Sequence, residues 1–242
     1  MRLSGLANII GNSLAGGHHG APAFSNLLSV DFDGVDDYVD CGTDASLKPT
    51  AALSISFWME GVGSGDDFPI RCGSSTLSNN YGYGFRIVSS TDYWFILGNG
   101  SASSSLRISS PAPSSGWHHF LCTWDGTTQT MFIDGVSAGT ATFATTLAYD
   151  AGAFFLGARN TSGNKDFLGN LDEVAIWNSD QSANISSIYN SGTPTDLSSL
   201  NPISWWRMGD GDTYPTLTDN GSGGNNGTMT NMVSGDIVAD VP

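Results

Sequence analysis

Residues 116–135 carry a pattern of apolar and polar positions that predicts two adjacent strands. The run 117–124 is dominated by aromatic, β-branched and apolar residues, and a second apolar run follows at 129–134. Asp125-Gly126 between them is a turn signal, because glycine adopts positive φ without steric cost and aspartate tolerates it. A second Asp-Gly pair closes the return strand. Strands that are apolar on both faces belong inside a layered β structure.

The same short-period alternation predicts strands along most of the chain. They are expected at residues 28–32, 38–41, 53–60, 68–72, 82–88, 93–97, 106–108, 136–143, 153–156 and 170–177. One short helix is predicted at residues 182–189, where Ile185, Ile188 and Tyr189 share a face and Gly192 can end the element. This pattern is typical of an all-β protein.

Three ordered blocks in the sequence resemble a known family. The first is VDFDGVDDYV at residues 30–39, the second is the Trp-x-His segment with its Asp-Gly turns at 117–135, and the third is FLGNLDEVAIWN at 167–178. Together they resemble the laminin-G-like branch of the concanavalin A-like lectin/glucanase superfamily. The resemblance implies a jelly-roll sandwich of two antiparallel sheets, and it implies much less about activity, because one fold hosts many functions.

The segment after Thr193 resembles a block that precedes the opening strands in this family. It contains the aromatic run at 203–210 and a turn rich in Asp, Asn and Gly at 219–229. Either the domain is permuted, with C-terminal strands completing the sheet beside residues 28–32, or a second, truncated copy begins here. We favour permutation, because about 50 residues this rich in Gly and Asn form at best a marginal core alone.

The predicted organisation is therefore an N-terminal anchoring arm at 1–27, a sandwich at 28–193 and a completing segment at 194–242. Apolar residues near the N-terminus have helical spacing, but the glycine run at 16–20 weakens an autonomous helix. We interpret the arm as docking on a partner or a neighbouring copy. Asn8, Gly11 and Asn12 interrupt any signal-peptide core, which favours synthesis in a cytoplasm.

Charge is sparse but one-sided, with 23 acidic and 8 basic residues and a net charge of −15. Such a surface repels nucleic acid and anionic membranes, and no stretch is apolar enough to insert into a membrane. The 3 cysteines are widely spaced without a Cys-x-x-Cys pattern. Buried free thiols are expected, with one disulfide and a spare thiol as the alternative.

The sequence argues against catalysis. Glucanases of this fold carry a Glu-x-Asp-x-x-Glu cluster or similar, whereas the only glutamates here are Glu60 and Glu173. A retaining glycosidase needs two carboxyls about 5–5.5 Å apart. His118 and His119 lie in a predicted strand among aromatic residues, where packing is expected. We predict that the protein is not an enzyme.

Calcium is the cofactor that the resemblance implies. Relatives often hold one structural Ca²⁺ between the closing strand and the start of the domain. Carried over, the Asp172 carboxylate, a backbone oxygen near Gly34 and the Asp33 side chain would be ligands. The alternative is that both aspartates serve hydrogen bonds of a turn or a strand start.

A glycan site would need exposed aromatic rings, because the C–H faces of sugars stack on them. From the loop-rich stretch 79–99 we select Tyr81 and Tyr83 as the candidates.

The amino-acid composition and the N-terminal arm resemble those of accessory proteins of tailed-bacteriophage virions. This resemblance implies a decoration protein in the virion, made in a host cytoplasm and present in many copies. Its arm would bind other virion proteins and its sandwich would contact host glycans. The alternatives are a bacterial carbohydrate-binding lectin and, less favoured, a β-glucanase.

Overall fold

A computed structural model describes residues 24–61, 65–73, 80–89, 92–101, 106–110, 115–161 and 165–242. The residues with helical spacing and the glycine run, which form most of the predicted arm, lie outside the described residues. In the described part, no helix is long and apolar enough to cross a membrane.

Strands dominate the described part of the chain. In order they are β1 (Ser29–Asp33), β2 (Tyr38–Asp40), β3 (Leu53–Glu60), β4 (Asp67–Cys72), β5 (Tyr81–Ser89), β6 (Asp92–Asn99), β7 (Leu106–Ser110), β8 (His118–Trp124), β9 (Thr128–Ile133), β10 (Val136–Thr142), β11 (Phe154–Leu156), β12 (Leu168–Trp177), β13 (Ser204–Trp206), β14 (Thr216–Leu217), β15 (Gly227–Thr230) and β16 (Ile237–Val238). Helix α1 covers Ile185–Tyr189, and a 3₁₀ turn precedes it, so only the second half of the predicted helix is α-helical.

The strands form two antiparallel sheets, as the predicted fold class requires. The first sheet has the order β10-β9-β8-β3-β12-β1-β16, and β13 also pairs with β12. The second has the order β14-β15-β2-β11-β4-β5-β6-β7. The predicted hairpin is β8 and β9, whose register pairs Phe120 with Ile133 and Trp124 with Gln129.

The segment after Thr193 contributes strands to both sheets. β13 pairs with β12 and β16 pairs with β1 in the first sheet, while β14 and β15 extend the second through β2. Trp206 is fully buried and stacks on Phe154 of β11 with ring centroids 5.4 Å apart. The predicted boundaries of the arm and the completing segment stay a prediction, which truncation tests below.

The main core lies between the sheets and is rich in aromatic rings. Phe57, Phe85 and Phe120 meet with centroids 4.9–5.2 Å apart. Such ring contacts add to the free energy gained from burying apolar area. The three cysteines are free and buried, which confirms the expectation of packed thiols.

A second, smaller apolar cluster covers the outer face of the first sheet. Its buried members are Leu121, Ala175, Trp177, Ile188, Leu197 and Trp205. Phe24, which directly follows the undescribed residues, packs against it. Helix α1 and the chain after it therefore cover one sheet face and create the surroundings of the site described next.

Candidate functional site

The two tyrosines predicted to bind glycan lie in different environments. Tyr83 is 0% exposed, and its hydroxyl donates to the Leu47 carbonyl at 2.9 Å. The prediction that its ring is exposed for stacking is wrong, because strand alternation places Tyr83 on the core face with Phe85. Tyr81, at the start of β5, is partly exposed and packs beside Gly100.

The predicted calcium ligands are not brought together. Asp33 pairs with Leu168, four positions from Asp172 along β12, which separates the Cα atoms of the two aspartates by roughly 13 Å. The strand register therefore contradicts one ion shared by Asp33, Gly34 and Asp172. Instead, Asp33 accepts a hydrogen bond from the Val35 amide at 2.8 Å. Calcium binding itself stays a prediction.

An open cleft of about 410 Å³ lies on the outer face of the first sheet. We call it the Trp205 cleft. It is lined by Phe24, Ser25, Asp196, Ser198, Trp205, Arg207 and Asn220. These residues come from the chain before β1 and from the segment after Thr193, so neither stretch alone makes the cleft.

Alternation along β13 builds the aromatic part of this cleft. Trp206 points into the core, so the neighbouring Trp205 points outward, where Phe24 stacks on it with centroids 6.3 Å apart and planes at 16°. The Arg207 guanidinium lies 4.5 Å from the Phe24 ring centroid and 5.6 Å from that of Trp205. Cation–π attraction holds the guanidinium against these rings.

Buried carboxyl groups support the floor of the cleft. Glu173 adopts φ of +48° at an irregularity of β12 and accepts hydrogen bonds from Trp205 Nε1 at 2.6 Å and Arg207 Nε at 3.1 Å. Burial raises the pKa of Glu173 to about 7, although Arg207 and Trp205 act in the opposite direction. Burial, and then the charge of Glu173, raises the pKa of Asp172 to about 9.

Hydrogen bonds hold the end of the predicted arm against the residues that support the cleft. Asn26 donates from Nδ2 to Asp172 Oδ2 at 2.7 Å, and the Leu27 amide donates to Asp210 Oδ2 at 2.8 Å. Arg207 also donates to the Ser25 carbonyl. Residues 24–27, which the sequence assigned to the arm, are therefore integral to the cleft.

Sequence reasoning missed Phe24, Trp205 and Arg207 as site residues. A signal was present, because adjacent tryptophans in one strand must face opposite sides of a sheet. One of Trp205 and Trp206 therefore had to lie outside the main core. Which partner would cover it depended on contacts that are distant in sequence.

Ser56 and His119 resemble a nucleophile and its base but lie in the wrong surroundings for catalysis. Ser56 Oγ and His119 Nε2 are 2.8 Å apart, both side chains are buried, and Trp58 and Tyr189 pack over the imidazole. Burial lowers the pKa of His119 to about 3, and its Nδ1 has no hydrogen-bond partner among the described residues. A working triad needs a third group at that nitrogen.

A second open cleft, of about 500 Å³, lies where the loops at one end of the sandwich meet. Its lining is Thr50, Ala51, Trp124, Gly126, Ala144, Thr145 and Thr146. Trp124 is almost fully buried there and donates from Nε1 to the Phe143 carbonyl, so little of its ring is open for stacking. The Trp205 cleft has the better chemistry for a sugar, because it combines aromatic rings, a cation, a carboxylate, two hydroxyls and an amide.

Comparison with known families agrees with this architecture. A family model described as the concanavalin A-like lectin/glucanases superfamily matches residues 33–184. The chain belongs to this superfamily. The match confirms the resemblance seen in the sequence blocks, and it ends before the residues of β13 that build the cleft. A search of curated protein sequences finds no match.

Solved structures share the fold at low sequence identity. A candidate carbohydrate-binding protein from Bacteroides ovatus aligns with a TM-score of 0.65 and 14% identity, over 87% of this chain and 60% of that one. A heptameric SAP-like pentraxin from Limulus polyphemus aligns with a TM-score of 0.51 and 16% identity, over 68% of this chain and 82% of that one. The chain thus spans about three fifths of the Bacteroides protein. At these identities the likeness shows the fold alone.

Proposed function

We propose that this chain is a carbohydrate-binding module without catalytic activity, and that the Trp205 cleft takes the glycan. The observation that carries the proposal is the open cleft in which Phe24, Trp205 and Arg207 lie beside Asp196 and Asn220. The superfamily to which the chain belongs and the carbohydrate-binding name of the Bacteroides relative support the same class of ligand.

The chemistry of the cleft favours a neutral sugar. Trp205 is only 5% exposed, so the partly exposed Phe24 ring provides most of the surface for stacking. Glu173 balances the charge of Arg207, and Asp196 adds a carboxylate at the rim. Sulfated or sialylated glycans would meet this negative rim and a chain of net charge −15. Asp196, Ser198 and Asn220 supply groups for sugar hydroxyls.

Binding without hydrolysis fits the state of the acidic and basic groups. Glu173 is committed to Trp205 and Arg207, and the neutral His119 is covered by aromatic rings. Glu60 lies at the end of β3 beside Asp240, whose charge adds to burial in raising the pKa of Glu60. These placements favour a lectin over the alternative of a β-glucanase.

We further propose that the module decorates the virion of a tailed bacteriophage and is made in the host cytoplasm. Support comes from the acidic, Gly-rich composition and from the resemblance to virion accessory proteins. Many copies would be held to other virion proteins through residues 1–27, with the Trp205 cleft available to host-surface glycans. The bacterial lectin stays the alternative.

A glycan array of the full chain tests the binding proposal. We expect neutral glycans to bind, and Phe24→Ala to weaken the strongest interaction about tenfold, because an aromatic contact of this kind contributes roughly 1–1.5 kcal/mol. Tyr81→Ala is the matched control, since it removes another partly exposed aromatic ring, which lies on the second sheet and does not line the cleft. No reducing ends should appear from β-glucans.

Three outcomes would contradict the proposal. Absence of any glycan binding would remove the function itself. Loss of binding in Tyr81→Ala but not in Phe24→Ala would move the site away from the Trp205 cleft. Steady release of reducing ends would make the protein an enzyme.

Particle composition tests the virion proposal. Purified phage particles should contain the full chain, whereas particles from cells that make only residues 24–242 should lack it. The shortened chain keeps every residue of the cleft and should remain folded, so its glycan binding in solution is the control. Full incorporation of the shortened chain, or absence of the full chain from particles, would contradict anchoring through the arm.

A further inference from the structure

Exposed apolar side chains concentrate at one end of the sandwich. Six large apolar residues are exposed within the part of the chain that the structure describes, and four of them lie at the end that carries the turn between β1 and β2. These four are Val35, Leu168, Tyr214 and Val233, which are 66%, 49%, 39% and 61% exposed. Single exposed apolar residues are normal on a protein surface, whereas a contiguous group of them marks an interaction site. We call this group the apolar strip.

The β1–β2 turn joins the first two residues of the apolar strip. Register places Asp33, the last residue of β1, opposite Leu168, the first residue of β12. Gly34 follows with φ of +72°, and a Cβ there would lie 2.8 Å from the Leu168 Cβ. Glycine therefore lets the turn pack directly against Leu168, which brings the neighbouring Val35 beside it.

Hydrogen bonds attach the other two residues to the far side of the same turn. Asn231 Nδ2, two residues before Val233, donates to the Asp36 carbonyl at 3.0 Å. The Tyr214 hydroxyl donates at 2.8 Å to the carbonyl of Met232, the residue directly before Val233. The apolar strip therefore crosses the ends of both sheets, from β12 in the first sheet to the chain before β14 in the second.

Acidic side chains flank the apolar strip. Asp33 and Asp36 are exposed in the turn itself, and Asp236 lies in the 3₁₀ turn that directly follows the strip and contacts β1. Lys165, which precedes β12, is already paired with Asp66. Two such strips would repel each other face to face, because like charges across an interface oppose association. The strip therefore favours an apolar partner that carries no acidic residues.

The N-terminal arm has the composition that fits this surface. Residues 1–23 contain neither Asp nor Glu, although the whole chain has 23 acidic residues. They do contain Arg2 and apolar residues at helical spacing, which are Leu3, Leu6, Ile10 and Leu14. Charge and apolar content thus match the arm to the apolar strip. A segment of this length spans up to roughly 75 Å when extended, which is enough to reach a neighbouring copy.

We propose that the apolar strip binds residues 1–23 of a second copy of this chain. The four side chains are exposed in the isolated chain and are therefore available to another copy. The arm precedes Phe24 on one side of β1, whereas the strip lies beyond the other end of β1. The contact is therefore head-to-tail, and it builds a ring or an open chain of copies. Joining copies to one another goes beyond the proposed function of binding glycan.

Sedimentation of the full chain over a range of concentrations tests the proposal. We expect association with a Kd on the order of 10 μM, at the weak end of specific interfaces. Val35→Asp combined with Val233→Asp should weaken it roughly thirtyfold or more, because charged groups then replace apolar contacts of the interface. Val136→Asp is the matched control, since Val136 is 70% exposed but lies on β10, outside the strip.

Mixing two chains that each lack one half of the contact separates this mode of association from others. A chain lacking residues 1–23 keeps the strip and every strand that the structure describes, but it has no arm. The chain with both aspartate substitutions keeps the arm but has no apolar strip. Each should stay monomeric alone, and the mixture should form a one-to-one complex. Both substituted positions are exposed, so unchanged melting temperatures should show that folding is retained.

Several results would overturn the proposal. Self-association of the chain lacking residues 1–23 would mean that strips bind each other, and self-association of the doubly substituted chain would mean that the strip is not used. A full chain that stays monomeric at roughly 1 mM, far above the expected Kd, would exclude a second copy as the occupant. A mixture without a complex would do the same. No residue of the strip lines the Trp205 cleft, so failure here leaves the proposed function standing.

Discussion

A chain that ends at Thr193 is expected to lose its cooperative unfolding transition and to aggregate. The deletion removes β13–β16, which pair with both sheets. It also removes the buried side chains of Trp205, Trp206, Met208, Leu217, Met229 and Met232. Each large apolar side chain contributes about 1.5–3 kcal/mol on burial, while the whole folded state is stable by only about 5–15 kcal/mol.

Circular dichroism melting and gel filtration would measure this loss. A chain lacking residues 1–23 serves as the control, because it keeps every strand that the structure describes and should melt like the full chain. If the chain ending at Thr193 stayed monomeric with an unchanged Tm, residues 194–242 would not complete the sandwich. The alternative of a second, truncated copy would then be correct.

The protein should be more stable at pH 5 than at pH 8 because of its buried acids. The pKa of Asp172 is raised from 3.8 to about 9 and that of Glu173 from 4.5 to about 7. Folding therefore favours the protonated carboxyls. This contribution is fully present below about pH 4 and is lost as the pH rises through 7 and toward 9. His119 acts in the opposite direction, because burial lowers its pKa from 6.5 to about 3 and stability is therefore lost as the pH falls below about 6.5. The two buried acids outweigh this loss, and we expect the free energy of unfolding to fall by roughly 2 kcal/mol between pH 5 and pH 8.

Urea unfolding of the wild type and of Asp172→Asn at both pH values would check this. Asparagine can still accept from the Glu173 amide, and its own amide can donate to Asn26 Oδ1, which lacks a partner among the described residues. We expect the fall in stability to shrink by half or more in Asp172→Asn and to persist in the exposed control Asp125→Asn. A wild-type stability that is equal or greater at pH 8 would contradict the assignment.

Local patterns in the sequence predict much of the fold. The Asp-Gly turns delimit β8 and β9, because their geometry fixes where a hairpin reverses. The alternation of Leu53–Glu60 marked β3 with the bounds that the structure has. The same alternation could have placed Tyr83 in the core, since it shares a face with Phe85 and Ile87. Tyr83 was misjudged because glycines flank it and its stretch resembles a loop.

The parts of the site that the sequence did not predict depend on pairing between distant segments. Asp33 and Asp172 both look like ion ligands near strand ends, but only the register of β1 against β12 shows that they lie apart. Glu173 becomes buried because β12 is irregular at that point, and it then finds Arg207 and Trp205 from a segment about 30 residues later. The Trp205 cleft depends on these two contacts and on the stacking of Phe24 against Trp205, so no single stretch of sequence predicts it.

Hydrogen–deuterium exchange of the full chain with its strongest array ligand would test the central claim most directly. We predict that the ligand slows exchange at residues 196–198, 205–207 and 218–221, which surround the Trp205 cleft, and leaves residues 144–146 unchanged. Protection confined to residues 80–101 or 144–146 would contradict the account, because the glycan would then bind at Tyr81 or at the second cleft.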